Sequence, residues 1–172
     1  MRETVSLSSP IREKIAWAQA CRERFGERLL EDRRVSAQLN ALRAASKACA
    51  AEMTRSGVRD MCRTCEADEG GSCCGAGLED RYDGWLLLIN CLLGVDLPSR
   101  RRFEKSCFFL GENGCRLLAR HVICINYVCK KITDALPPSS MHPLREKEGE
   151  EIHALFLLNE TIKRLLREWT VD

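Results

Sequence analysis

Apolar positions recur with helical spacing along most of the chain. Ile11, Ile15, Ala18, Phe25 and Leu29 stand three, four or seven apart with charged residues between them, which predicts an amphipathic helix. Pro10 suits its first turn, and Ser8 or Ser9 its cap. After the charged stretch Glu31 to Arg34, a second stripe (Val35, Leu39, Leu42, Cys49, Met53) predicts another helix, closed near Gly57. Asp80 to Leu93 is a third, apolar at Tyr82, Trp85, Leu86, Ile89, Leu92 and Leu93, and ended by Gly94. Pro137, Pro138 and Pro143 predict a linker. Ile152, Leu155, Phe156, Ile162, Leu165, Leu166 and Trp169 then mark a long C-terminal helix. The acidic stretch Glu146 to Glu151 falls in its first turns, where carboxylates meet the favourable end of the helix dipole.

The middle of the chain loses this period. Gly70, Gly71, Gly75 and Gly77 predict irregular backbone over 58–79. Cys107 to Leu110 and Cys115 to Leu118 flank Gly111-Glu112-Asn113-Gly114, and Asn-Gly predicts a hairpin with a tight primed turn. Leu117 to Ile132 is apolar and predicts a helical turn or two. The fold class expected is all-α: a small helical bundle with an irregular, cysteine-rich metal-binding insert that contains a short β-hairpin. The chain reads as a single domain over 1–172. Its parts are N-terminal helices (1–57), a cysteine-cluster region (58–136), and a linker with the C-terminal helix (137–172).

Composition narrows the function classes. No apolar run exceeds five residues, whereas a membrane-spanning helix needs about 20, so no membrane partner is expected. Met1 to Pro10 has no apolar core of a signal peptide. The formal net charge of +2, from 27 Lys+Arg against 25 Asp+Glu, gives no reason to expect nucleic acid as the main partner. The run Arg100-Arg101-Arg102 with Lys105 reads as a solvated face. An unknown protein partner stays open. Eleven cysteines in 172 residues fall below the roughly 8–10 % of small disulfide scaffolds. A cytoplasmic, cysteine-dense chain with an odd thiol count reads as metal-binding or redox-active before it reads as disulfide-stapled.

The cysteines are unevenly spread. Cys21, Cys49 and Cys91 lie alone inside helical patterns, where a thiol is ordinarily a small core hydrophobe. The other eight, Cys62, Cys65, Cys73, Cys74, Cys107, Cys115, Cys124 and Cys129, are the candidate metal ligands. Cys62-x2-Cys65 lets both sulfurs reach one ion. Side chains of neighbours such as Cys73 and Cys74 diverge, so one of them ligates while the other packs, or each serves a different site. Eight thiols suffice for two four-thiolate sites, or for one with spares.

In these residues the chain resembles the YkgJ-type cysteine-cluster family, described as a zinc- or iron-chelating domain. The resemblance runs through Cys62 and Cys65, Cys73-Cys74, Cys107-Phe108-Phe109-Leu110, Gly114-Cys115, and Arg120 with Cys124 and Cys129. The gap from Cys65 to Cys73 is longer than the family's usual form. His121 stands where the family has proline and adds a candidate nitrogen ligand, although it reads better as a residue beside the site. The bacterial flagellin lysine-methylating proteins carry a similar cysteine set, and that likeness implies an iron–sulfur cluster.

The cofactor expected is thus an iron–sulfur cluster (4Fe-4S) or zinc. One clean C-x2-C, ligands gathered from distant loops, and apolar neighbours such as Phe108, Phe109 and Ile123 lean towards the shielded cluster. Arg63, Arg116, Arg120, Lys130 and Lys131 lie near enough in sequence to offset its charge. The leading function is a metal-binding protein. A redox or S-adenosylmethionine-linked enzyme, and a metal-free thiol–disulfide switch, are the alternatives. No residue stands out as a catalytic nucleophile.

Overall fold

The computed structural model describes residues 5–68 and 73–170. Helices dominate, as the stripes predict. α1 (Ile11–Glu31) and α2 (Arg33–Arg55) follow one another almost without pause. Asp32 separates them: its backbone is extended, and its carboxylate accepts the N–H groups of Arg34 and Val35 at 2.9 Å each, an N-cap that starts α2 afresh. The expected serine cap of α1 is absent; Pro10 occupies that position without a side-chain hydrogen bond. Gly57, at φ 82°, closes α2 in the left-handed conformation that glycine adopts without a Cβ penalty.

Residues 58–68 form a helix, α3 (Val58–Asp68), where the glycine count predicts irregular backbone. The breakers all lie further on: Gly75 and Gly77 follow the helix, and Gly70 and Gly71 fall outside the described residues. A single 3₁₀ turn, Leu78–Arg81, precedes α4 (Gly84–Leu92). That helix starts later than its apolar stripe because Asp83 caps it, accepting from the Leu86 N–H at 2.8 Å. A Cβ at Gly84 would lie 2.5 Å from the Trp17 ring, so glycine lets α4 press onto α1.

The hairpin has two residues per strand, β1 (Leu110–Gly111) and β2 (Gly114–Cys115), paired Leu110↔Cys115 and Gly111↔Gly114. Its turn is not primed. Among the described residues no non-glycine has positive φ, so neither Glu112 nor Asn113 takes the positive φ that a primed turn requires, and Gly114 has it instead, at 105°. Glycine takes that φ without a Cβ penalty, and the two strands stay in continuous register on either side of the two-residue loop. α5 (Val122–Asn126) and α6 (Lys130–Ala135) are the short helices expected after it. The expected proline linker is instead the start of α7 (Pro138–Thr170), which carries Pro143 inside it. Pro138 sits at the first helical position, where its missing N–H costs nothing.

α7 lies along α2, and α4 lies on α1. The main core gathers Ile15, Phe25, Leu29, Leu39, Leu42, Leu88, Phe109 and Ile162 from these four helices and the hairpin approach. A second, smaller core under α3, α5 and α6 consists of Cys49, Val58, Ile125, Ile132 and Leu144. Among the described residues, no helix is long and apolar enough to cross a membrane.

Candidate metal centre

The eight candidate ligands come from six stretches of backbone, and each is held by a local device. Cys62 and Cys65, three apart on α3, share a helix face. Cys62 packs on the second core beside Cys129, which occupies the N-cap position of α6. Cys73 and Cys74 lie in a turn stitched to the strand-like stretch before the hairpin. The Cys107 N–H donates to the Cys74 carbonyl at 2.6 Å, Ala76 N–H to that of Lys105 at 2.9 Å, and Gly75 bridges Ser106. Buried Glu79 fastens the same place, accepting from the N–H groups of Gly77 (3.0 Å) and Phe108 (3.3 Å) and pairing with Arg101. Arg101 also donates to the Ser106 carbonyl. It is therefore no solvated residue, unlike its exposed neighbours Arg100 and Arg102. Ser106 in turn donates to Glu66 on α3 at 2.6 Å. Cys107 is buried in the main core, Cys115 ends the hairpin, and Cys124 lies on α5.

These thiols feel one another. Burial pushes the Cys62 thiol up to about 11, and Cys73, Cys129 and Cys65 add to the effect. Burial pushes Cys107 up to about 12, against a backbone N–H, with Glu79, Cys115 and Cys124 adding to it. In the vicinal pair the two thiols share a hydrogen bond. It lowers Cys73 to about 6 and raises Cys74, which is pushed further by burial and by Cys73, Cys115 and Cys124. Such a field favours the protonated thiol, and a metal ion at such a group of thiols would reverse the balance by favouring thiolate. Among the described residues, no three His, Cys, Asp or Glu side chains converge closely enough to hold an ion as they stand. The donor set nevertheless suits a thiolate-bound metal: soft sulfur donors, crowded and partly desolvated.

Around the thiols is a shell of buried polar groups that the hydrophobic pattern does not reveal. Tyr82, 1 % exposed, reads as an apolar position of the helix stripe, yet its hydroxyl lies 3.6 Å from the Cys124 sulfur and accepts the His121 N–H at 3.1 Å. Its ring leans on Phe109, and Phe109 on Phe108, screening this side of the site from water. His121 Nδ1 accepts the Ile123 N–H at 3.2 Å and so caps α5; one of its two ring nitrogens is spent on backbone. Arg120 does not extend to the thiols as a free counter-ion. It is buried against α7, 2.9 Å from Glu151, with Cys49 Sγ at 3.8 Å and the Cys124 carbonyl at 3.4 Å. Asn90 receives the Leu118 and Ala119 N–H groups on its oxygen and donates to the Ala119 carbonyl, fixing the segment that leads to Arg120.

The three solitary cysteines stand apart from this group. Cys21 and Cys49 are fully buried in helix cores, and Cys91 is half-buried beside Cys21. Burial lifts Cys21 to about 11 and Cys49 to about 12, the latter with help from Glu151 and against Arg120. Of the polar shell, only Asn90 carries a sequence signal: an amide inside the run Trp85 to Leu93 requires internal partners. No family model, no curated protein and no solved structure matches the chain.

Proposed function

We propose that this chain is a cytoplasmic metal-binding protein in which Cys62, Cys65, Cys73, Cys74, Cys107, Cys115, Cys124 and Cys129 hold iron as an iron–sulfur cluster. The observation that carries the reading is the gathering itself. Eight thiols from six backbone segments are linked pair by pair through electrostatic influence, while Cys21, Cys49 and Cys91 stay with the helices. Their order also resembles that of the YkgJ-type cysteine-cluster family. Zinc shares the donor chemistry. Iron is favoured by the aromatic screen of Phe108, Phe109 and Tyr82 and by the hydroxyl aimed at Cys124 Sγ, since burial and hydrogen bonds to sulfur are the means by which proteins set cluster potentials. When bound, the group would supply a one-electron couple or a structural anchor. The chain's own thiols would hold it, the rings of Phe108, Phe109 and Tyr82 would exclude water, and the Tyr82 hydroxyl would donate to Cys124 Sγ.

Anaerobic purification with a visible spectrum and elemental analysis tests this. Iron with acid-labile sulfide and a broad visible absorption is expected, retained in Cys21→Ser and lost in Cys65→Ser. A colourless protein with stoichiometric zinc would move the reading to zinc, and a metal-free protein with labile disulfides would overturn it.

A further inference from the structure

The helix α5 has one side spent on the interior and one side that nothing covers. Inwards, Ile125 inserts into the second core and Cys124 packs on the main one. Outwards, Val122, Ile123 and Tyr127 are 43, 39 and 54 % exposed. Ile123 and Tyr127 lie one turn apart, with the Tyr127 N–H bonded to the Ile123 carbonyl, so their side chains share a face. Leu118, also exposed, precedes them on the segment leading from the hairpin, where the Ser46 hydroxyl of α2 donates to its carbonyl at 3.4 Å. Single exposed apolar residues are ordinary, but several on one short stretch mark a contact surface. The charge around this face has one sign. From 113 to 133, and again from 33 to 51 on α2, the chain has no Asp or Glu. Arg116 stands beside Leu118 in the first stretch and Lys47 beside Ser46 in the second. Both are exposed, and among the described residues neither makes an ion pair. The carboxylates that border the face are already engaged: Asp134 with Lys130, and Glu148 with Arg145, which also donates to the Asn126 carbonyl at 2.5 Å.

We infer that the outer face of α5, with Leu118, Val122, Ile123 and Tyr127 at its centre and Arg116 and Lys47 at its rim, docks a partner protein through an acidic amphipathic helix. The apolar centre and its tyrosine supply affinity, and the cations at the rim select for carboxylates and steer their approach. A helix is the fitting element because α5 offers no strand edge for a β-partner to extend; a helix brings apolar residues at i, i+3, i+4 and i+7 to such a face. A second copy of this chain fits badly, since it would set one positive rim against another. A bilayer surface is met by helices with a long apolar stripe, and α5 has only five residues. The docking face stands whether or not the thiols bind metal.

The experiment measures binding of labelled synthetic helices to the full chain by fluorescence polarisation. One probe has leucines at i, i+3, i+4 and i+7 and glutamates at its other positions; its counterpart carries lysines in place of the glutamates. The acidic helix is expected to bind the more tightly, by a margin that shrinks as salt is raised. Val122→Ser/Tyr127→Ser should weaken it by about tenfold or more, as the loss of central contact residues does. Arg116→Glu/Lys47→Glu should reverse the preference between the two helices. Leu7→Ser, which removes an exposed leucine ahead of α1, should bind as the unaltered chain does. All of these side chains are exposed, and far-ultraviolet circular dichroism checks that each variant keeps its helices. No binding, equal affinity for the two helices, or full affinity in Val122→Ser/Tyr127→Ser overturns the inference. It also falls if phosphatidylserine vesicles bind through Val122 and Tyr127 while the acidic helix does not, which assigns the face to a membrane. A dimer in sedimentation that Val122→Ser/Tyr127→Ser dissolves assigns it to a second copy and overturns it likewise. Metal content of the same proteins reports on the metal-binding function separately.

Discussion

The buried pair Arg120–Glu151 ties the cysteine-rich region to the helical scaffold, and its removal has a magnitude that can be worked out. Glu151 has no exposed side-chain surface, Arg120 has 14 %, and the two are 2.9 Å apart. One carboxylate oxygen of Glu151 already lacks a hydrogen-bond partner among the described residues. Arg120→Met keeps the apolar stem but leaves a charge sealed from water. Stranding one partner of a buried pair costs about 3–5 kcal/mol. With a urea dependence of about 2 kcal/mol per M for a chain of this class, the unfolding midpoint should fall by about 2 M. Arg120→Met/Glu151→Leu removes both charges and should recover most of that loss, since an apolar replacement of a buried pair is often neutral or better. Arg120 also holds the Cys124 carbonyl, so amide exchange over α5 should quicken in the single variant. Equilibrium urea unfolding of the four proteins of the cycle is the assay. A loss below about 1 kcal/mol in Arg120→Met, or strict additivity of the two changes, would refute the argument that the pair is buried and coupled.

Three further outcomes are expected. Tyr82→Phe deletes a hydroxyl that donates to Cys124 Sγ and accepts from His121; it should cost about 1–3 kcal/mol and lower the reduction potential of the proposed iron–sulfur centre, because the donor favours the more negative state, and protein-film voltammetry checks the sign. Glu79 is worked upon first by burial, which raises its pKa, but the N–H groups of its own turn, Arg101 and Phe108 prevail and leave it below the usual carboxylate value of 4.5. The stability it adds is therefore fully present above that value and lost as pH falls through its lower folded value; urea midpoints of the chelated protein and of Glu79→Gln should converge in acid, and a gap that persists there would contradict the linkage. Chelation should leave amide protection intact in α1, α2 and α7 while exchange rises over α3 and residues 106–129, and hydrogen–deuterium exchange would count against a metal-dependent insert if protection stayed uniform.

How much of this was legible before any coordinates depends on the kind of interaction. The amphipathic stripes of α1, α2, α4 and α7 follow from the sequence alone, because a helix buries residues three and four apart and the chain has them at those positions. The separation of Cys21 and Cys49 from the other thiols follows in the same way, since both lie on buried stripes. The hairpin was legible from its glycine and asparagine, but not its turn type, which depends on which residue takes positive φ. α3 was hidden because the glycines that suggested a loop lie beyond its end, and α7 begins among prolines because Pro138 needs no donor there. Only the tertiary structure decides which thiols are neighbours, and that Tyr82, Asn90, Glu79 and Arg120 surround them. Partners such as Arg120 and Glu151, or Tyr82 and Cys124, are more than thirty residues apart in sequence. A pairwise hydrogen bond or ion pair leaves no periodic trace along the chain; it exists only once two helices and a loop have been packed to bring its ends together.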